Sequence, residues 1–549
     1  MTHSFIRDVQ GVRWTLSERL RSVVPAGGAL GEWLGTGDVT VVKDRPHRAV
    51  YRVRHPDLDV FVKHNRPVGL RGQLREWLRP LKARREYELG CLLRARGVVT
   101  PEPLAWGSGG DSGRTASWLM TETVAEATSL LTYLEQVLPG LPAGRQVRER
   151  QAVARALGAF VATLHTAAIY HHDLHPGNVL LQWADDSTPT LALIDLHALR
   201  VGGAVHWSDC ERNLAVLNRY FVLRASRADR RRFWASYIAG MNRQSPAAAG
   251  QVARLVEDLT WESNRAFWRD RDRRCLATNR YYLRLHVGDA RGHAVREVRA
   301  DDVRALMADP FPALASPGVR LLKQSASSTV AEIKWRAGTA VLKHFRAGSR
   351  SDPWLGLLRM SPAMRSWVYG HGMRDRGLPT ARPLAIFHQY RGGRPHDGFL
   401  LSEKIEGATG VDDWVRRIAD PMALRNRSEA LARLVRELHR RGLSHRDLKA
   451  ANLLTPVGAN DHRFWFIDLV GIRRCERVSR RRRVRDLARL HASFRDSPLV
   501  TQTEKLRFLG AYLNWGLRGK TGWKAWWREV AQATAAKVAR NLRRSRPLA

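Results

Sequence analysis

Apolar and polar positions alternate in three short runs near the start of the chain, 39–43, 49–54 and 60–64. They do so again at 319–323, 329–335 and 340–345. A period of two puts one face of a strand in a core and the other outside it, so each trio predicts a half-buried antiparallel sheet. Each third run ends in a Lys-His pair, Lys63-His64 and Lys343-His344, 280 residues apart. The same spacing carries Gly97 onto Gly377, Pro103 onto Pro383, and Leu104-Ala105 onto Leu384-Ala385. A spacing held this long predicts duplication of a whole folding unit. The period changes to a helical one at 151–168 and 427–441. There Leu157, Val161 and Leu164, and then Leu431, Leu434 and Leu438, share one face. These patterns divide the chain into a first unit at 1–270, a basic connector at 271–314 and a second unit at 315–549. The connector holds Tyr281-Tyr282-Leu283-Arg284-Leu285 and either adds strands to the second sheet or links the units.

Composition narrows the partners. Of 549 residues, 44% are hydrophobic, enough for real cores, and the formal charge of +40 attracts anions. Nucleic acid, anionic lipid and phosphorylated glycans are the classes that charge admits. No zinc finger or aromatic RNA motif accompanies it, so no nucleic acid is expected. Cys91, Cys210, Cys275 and Cys475 stand alone, which indicates neither a zinc site nor a disulfide framework. The first twenty residues lack the apolar core of a signal peptide, and no run of about 18 apolar residues follows. The expected place is the cytoplasm, free or lying on a membrane surface.

The chemistry lies after each predicted helix. His445-Arg446-Asp447-Leu448-Lys449-Ala450-Ala451-Asn452 is followed by Ile467-Asp468-Leu469. His171-His172-Asp173-Leu174-His175-Pro176-Gly177-Asn178 is followed by Ile194-Asp195-Leu196. Asp447 follows Asp173 by 274 residues, Asn452 follows Asn178 by the same 274, and Asp468 follows Asp195 by 273. This is the pattern of a kinase catalytic loop and its metal-binding aspartate. Phosphoryl transfer needs a carboxylate to accept the proton of the attacking hydroxyl, and amide and carboxylate oxygens to hold magnesium on the nucleotide phosphates. Asp173 and Asp447 fit the first role, and Asn178, Asp195, Asn452 and Asp468 the second. Lys63 and Lys343 sit where a phosphate-contacting lysine belongs. Glu86 is the first choice to pair with Lys63, with Glu88 as the fallback. The matching positions in the second unit are Ser366 and Val368, so the ion pair is expected in the first unit only. The fold class expected is α+β: two tandem protein-kinase-like domains, each with a small antiparallel β-rich lobe and a larger, mainly helical lobe. His165 and His439, just before each loop, are expected as core histidines that brace it. Leu119-Met120-Thr121-Glu122 and Leu400-Leu401-Ser402-Glu403 fall where a hinge between lobes would lie.

These residues, together with Arg84-Arg85-Glu86-Tyr87, Arg96-Gly97-Val98 and Pro101, resemble the lipopolysaccharide kinase family, the Kdo and heptose kinases, in two tandem copies. The resemblance implies ATP and magnesium as cofactors and transfer of the γ-phosphate to a sugar hydroxyl. The acceptor it implies is an anionic glycolipid, the lipopolysaccharide core, at the cytoplasmic face of the inner membrane. It implies Asp173 and Asp447 as catalytic aspartates, Asn178, Asp195, Asn452 and Asp468 as metal ligands, and Lys63 and Lys343 on the phosphates.

The copies depart from the pattern differently. Neither has a G-x-G-x-x-G loop; the first turn is Asp44-Arg45-Pro46-His47-Arg48 and the second Gln324-Ser325-Ala326-Ser327-Ser328. His172 replaces the arginine of H-R-D in the first copy. Lys449 is placed to steady the γ-phosphate, and His175 does so less well when neutral. Arg485-Asp486-Leu487 keeps a loop-supporting aspartate where the first unit has Asn213. The basic run 473–485 borders the expected acceptor site, and arginine forks match phosphate geometry. Trp515, Trp523, Trp526 and Trp527, with Lys537, Arg540, Arg543, Arg544 and Arg546, suit either a core-packing last helix or a headgroup interface. Two other readings remain: a tandem pseudokinase that binds ATP without transfer, and a kinase for protein or a small molecule.

Overall fold

The strand Leu58–Asn65 alternates buried and half-buried positions along its whole length, as a period of two requires. In the computed structural model Lys63 pairs in register with Val50 on one side and Leu119 on the other. The structure describes residues 4–9, 11–20, 38–55, 58–66, 81–109, 116–183, 188–241, 249–347, 360–418, 420–458, 461–514 and 522–543. The chain divides into two units, Met1–Asn264 and Arg265–Ala549.

Among the described residues, the first unit holds a seven-stranded antiparallel sheet. Its spatial order is Ser4–Val9, Val12–Ser17, Pro103–Gly109, Ser117–Glu122, Leu58–Asn65, Arg48–His55, Asp38–Arg45. One face packs Trp14, Leu16, Val60, Val62 and Met120 into a core. On the other face, Leu119 meets Ala83 and Tyr87 of the helix Lys82–Ala95. Because side chains alternate along a strand, Lys63 shares the face of its register partner Leu119 and is turned toward that helix.

The second unit repeats this arrangement in the order Tyr282–Val287, Ala290–Val295, Pro383–Arg391, Arg394–Glu403, Gly338–Phe345, Ser328–Trp335, Arg320–Gln324. The first two of these strands come from the stretch 271–314. Lys343 pairs with Val330 and Leu400, matching Lys63. The helices Lys82–Ala95 and Pro362–Asp375 stop in the same way. Gly97 (φ +75°) and Gly377 (φ +63°) take the left-handed conformation and return their N–H groups to Arg94 O at 3.0 Å and Arg374 O at 2.8 Å. Glycine reaches that region without a Cβ penalty.

Each sheet is followed by helices. Ala143–Thr166 buries Leu157, Val161 and Leu164 against Leu174 and Leu193, and Pro421–Arg440 buries Leu431, Val435 and Leu438 against Leu448 and Phe466. The expected mixed α+β class with antiparallel sheets is the one observed. Trp526 and Trp527 of the last helix, Trp523–Leu542, pack partly buried against the second helical core. Trp515, Arg544 and Arg546 lie outside the described residues. No helix among the described residues is long and apolar enough to cross a membrane.

Candidate active site

In the first unit, the short strand Ile169–His171 pairs with Leu199–Val201, and this ladder carries the loop between them. The buried His171 ring ties two predicted site residues together. Its Nδ1 accepts from the Asp173 backbone N–H at 3.1 Å, and its Nε2 donates to the Asp195 carbonyl at 3.2 Å. Asn178 donates its amide N–H to the Asp173 carbonyl at 2.9 Å, and the Asn178 carbonyl accepts from Ile194 N–H at 3.0 Å. Asp173, Asn178 and Asp195 are thereby held by one web of bonds. The Asp173 carboxylate is 70% exposed, open to an incoming group, while Asn178 is buried.

Lys63 donates to Glu86 at 2.9 Å, and Glu86 is only 4% exposed. The fallback is not used: Glu88 is exposed and pairs with Arg84 at 2.8 Å. Asp195 sits in the left-handed region (φ 63°, ψ 54°), a strained place for a residue with a Cβ, of the kind that collects at functional sites. Its Oδ1 accepts from His197 Nδ1 at 2.8 Å and from Arg48 at 3.5 Å. Burial works to raise the pKa of Asp195. The His197 hydrogen bond and the charges of His197, Lys63 and Arg48 outweigh it and hold the carboxyl well below the usual carboxylate range. The same hydrogen bond raises the pKa of His197, against burial. Neither Arg48 nor His197 was singled out from sequence. The signal for His197 was that it stands two residues after Asp195, where the second unit has Val470.

The second unit repeats the loop. His445 Nδ1 accepts from Asp447 N–H at 3.2 Å, and Ile467 N–H bonds to the Asn452 carbonyl at 3.0 Å. Asn452 donates to both the Asp447 carbonyl at 2.8 Å and its carboxylate at 3.0 Å. Asp468 is again left-handed (φ 56°, ψ 64°). Lys343, however, donates to Asp468 itself at 2.8 Å, because Ser366 stands in place of a helix glutamate and turns its hydroxyl to Pro362 O. Burial pushes the Asp468 pKa up, and Lys343 more than reverses it, leaving the pKa lowered.

Both loops rest on a buried histidine. His165 bonds Tyr237 OH at 2.8 Å and Asn213 Oδ1 at 3.0 Å, and His439 bonds Tyr512 OH at 2.8 Å and Asp486 at 3.2 Å. Burial lowers His165 to about 4, so the ring is neutral near pH 7. The next bond runs in opposite senses. Asn213 donates to the His171 carbonyl at 2.5 Å, whereas Asp486 accepts from His445 N–H at 2.9 Å and from Ser444 at 2.7 Å.

The donor set fits a hard divalent cation, which takes oxygen ligands. Each asparagine spends its N–H on the loop, and its Oδ1 has no hydrogen-bond partner among the described residues. Each left-handed aspartate keeps one carboxylate oxygen clear of its cationic neighbours. Glu86, Asp195 and His197 also bring ligand-type atoms within 4.8 Å of one another.

Comparison with known proteins gives a consistent family. The lipopolysaccharide kinase (Kdo/WaaP) family matches residues 69–237 and 325–512. The lipopolysaccharide core heptose(I) kinase WaaP of Pseudomonas aeruginosa is 32% identical over 184 residues, 31% of this chain and 68% of that protein. A 3-deoxy-D-manno-octulosonic acid kinase of Stenotrophomonas maltophilia is 33% identical over 141 residues, covering 24% of this chain and 52% of that protein. One from Xanthomonas campestris is 34% identical over 170 residues, covering 28% and 61%. The chain thus spans about two thirds of the heptose kinase and half to three fifths of the other two. A solved structure, "WaaP in complex with acyl carrier protein", aligns with 45% of this chain and 99% of that chain at 23% identity and TM-score 0.32.

Proposed function

The chain belongs to the lipopolysaccharide kinase (Kdo/WaaP) family, and from that premise we propose that it is a phosphotransferase moving the γ-phosphate of ATP to a sugar hydroxyl of the lipopolysaccharide core. Each unit is a protein-kinase-like domain in this reading, and the first is the catalytic one. The protein works at the cytoplasmic face of the inner membrane, where its charge of +40 favours an anionic glycolipid.

The observation that carries the reading is the closed set in the first unit. Lys63 is held by buried Glu86 at 2.9 Å, and one histidine ring, His171, bonds both Asp173 and Asp195. Glu86 fixes the lysine toward the nucleotide phosphates. Asn178 and Asp195, and in the second unit Asn452 and Asp468, would hold magnesium, which supplies charge neutralisation on those phosphates. Asp173, exposed on a braced loop, orients the acceptor hydroxyl and takes its proton. Asp447 has the same place in the second unit, and Lys449 beside it faces the γ-phosphate. In that unit Lys343 is bonded to Oδ1 of the aspartate meant for the metal, which leaves only the other Asp468 oxygen for the ion and draws the lysine away from the phosphates. This observation favours a subordinate reading for the second unit alone, nucleotide binding with weak or no transfer.

The test is incubation of the full chain with labelled ATP, magnesium and lipopolysaccharide fractions, with Asp173→Ala and Asp447→Ala in parallel. Label entering core sugar, and its loss in Asp173→Ala, is the expected result. ATP binding with no transfer to any lipopolysaccharide fraction would overturn the reading in favour of a binding scaffold.

A further inference from the structure

Among the described residues, one group of three metal-ligating side chains gathers, and it lies in the first unit. Glu86, Asp195 and His197 bring their ligand-type atoms within 4.8 Å of one another. Two local structures put them there. Glu86 stands on the buried face of the helix Lys82–Ala95, with Ala83, Tyr87 and Gly90. Asp195 and His197 flank Leu196 in the short turn Leu196–Ala198, which the left-handed Asp195 opens. His197 Nδ1 is 2.8 Å from Asp195 Oδ1 and 4.0 Å from Glu86 Oε1. Ligand bonds of about 2.0–2.2 Å put two ligand atoms about 3 Å apart at right angles and about 4.3 Å apart when opposite. Both observed distances lie near that range, so small side-chain shifts would close the three atoms around an ion.

The buried oxygen of Glu86 is an independent pointer to a ligand. Glu86 spends Oε2 on Lys63 at 2.9 Å. Its Oε1 faces His197 and has no hydrogen-bond partner among the described residues, although the side chain is only 4% exposed. A buried acceptor without a donor is costly, and a cation answers it. Asp195 divides its carboxylate: Oδ1 meets His197 and Arg48, and Oδ2 is clear of both. An ion among the three would therefore leave Oε2 to Lys63 and Oδ2 to the magnesium that accompanies nucleotide. His197 is exposed, which gives the ion a way in from solvent. The ring nitrogen decides the kind of ion. Magnesium takes oxygen ligands and keeps its waters, whereas imidazole suits divalent transition metals. The second unit has Ser366 and Val470 in the places of Glu86 and His197, and Ser366 turns its hydroxyl to Pro362 O. Only Asp468 remains there.

We propose that Glu86 Oε1, Asp195 Oδ1 and His197 Nδ1 form a site for a divalent transition-metal ion in the first unit, filled without nucleotide and distinct from the magnesium that ATP brings. The ion takes the place of the hydrogen between His197 and Asp195 and displaces Arg48 from Oδ1. Through it, the helix that holds Lys63 is fixed to the turn of Asp195 before ATP arrives. The inference rests on the kinase reading for what the ion serves, but not for the site itself, which is tested by binding alone.

The test uses the full chain, freed of metal by a chelator and without nucleotide, with Mn2+ as the probe and Mg2+ for comparison. Electron paramagnetic resonance counts the bound Mn2+ and detects a nitrogen ligand by its coupling. The variants are His197→Ala, Glu86→Gln and, as an exposed control on the same helix, Glu88→Ala. The expected result is one Mn2+ per chain, held about tenfold or more tighter than Mg2+ and coupled to nitrogen. His197→Ala should lose the coupling and weaken binding about tenfold or more, Glu86→Gln should weaken binding and keep the coupling, and Glu88→Ala should change neither. No Mn2+ bound in the absence of nucleotide would overturn the proposal. So would Mn2+ bound without nitrogen coupling, Mg2+ bound as tightly as Mn2+, or a His197→Ala protein that binds as wild type does. The kinase reading fails differently. Wild type that binds Mn2+ through His197 but transfers no phosphate keeps the site and loses that reading. Wild type that transfers phosphate but takes up no ion until ATP is added keeps the reading and loses the site.

Discussion

Lys343 Nζ lies 2.8 Å from Asp468 Oδ1, whereas its counterpart Lys63 bonds Glu86 and leaves Asp195 to His197 and Arg48. Glu86 against Ser366 turns the lysine from the helix to the metal-site aspartate, and Val470 and Ser328, in the places of His197 and Arg48, leave Asp468 to that lysine.

Glu86→Gln keeps the shape of the side chain and removes its charge. Losing a charge-assisted bond of about 1.5–3 kcal/mol should lower kcat/KM for ATP about 10- to 100-fold. Steady-state phosphotransfer checks it, and an unchanged value would mean that Lys63 does not depend on its partner.

Asp173→Ala removes the exposed carboxylate of the first loop. A positioned base contributes about 10²- to 10⁴-fold, so turnover of the full chain should fall by that order while ATP binding persists. Unchanged turnover in Asp173→Ala, with loss in Asp447→Ala, would assign the chemistry to the second unit.

Asp486 is 2% exposed and accepts from Ser444, His445 and His439. Asp486→Ala leaves those buried donors without an acceptor and should cost about 3 kcal/mol or more. Denaturant unfolding of the full chain should show a transition moved to lower denaturant. No shift would mean that the loop is braced elsewhere.

The His197–Asp195 pair sets a pH window. The His197 pKa is raised by its hydrogen bond to Asp195, so its contribution is complete below the ordinary histidine value and disappears as pH rises through the raised one. The Asp195 pKa is depressed, with burial opposing and His197 causing the shift, so its share is lost only in strong acid. His197→Ala should therefore lower the Tm of the nucleotide-free protein below about pH 6.5 and leave it unchanged at alkaline pH. A deficit that persists at alkaline pH would mean that the ring acts by packing.

Arg477 and Arg481 in the basic run are exposed and have no acidic partner among the described residues, whereas Arg474 is tied to Asp272 at 2.6 Å and Arg480 to Glu529. Reversing both charges should raise the acceptor KM about 5- to 30-fold, at about 0.5–1 kcal/mol per site, with ATP affinity nearly intact. The effect should shrink as salt is added. A KM that is insensitive to both changes would return the run to a solvated surface.

Much of the fold was legible because it is written in local periods. Alternation at 60–64 placed Lys63 on the face opposite Val60 and Val62, and helical spacing brought Glu86 under it. The bond between them was expected and is present at 2.9 Å. His165 and His439 were expected as braces, and each is buried with two bonds. The headgroup face suggested for the tryptophans gives way to packing, because Trp526 and Trp527 lie against the second core. The contribution of the first turn was only partly legible: its charge was visible, but not that Arg48 reaches Asp195.

The sequence alone determined the duplication, the strands and the Asp-Asn-Asp spacing, because each depends on residues near one another in the chain or on a constant offset between copies. Only the tertiary structure decided which acid each cation chose. Arg48 meets Asp195 across 147 residues and Lys343 meets Asp468 across 125. An ion pair forms with whichever opposite charge folding brings within a few ångströms, and chain spacing does not encode that distance.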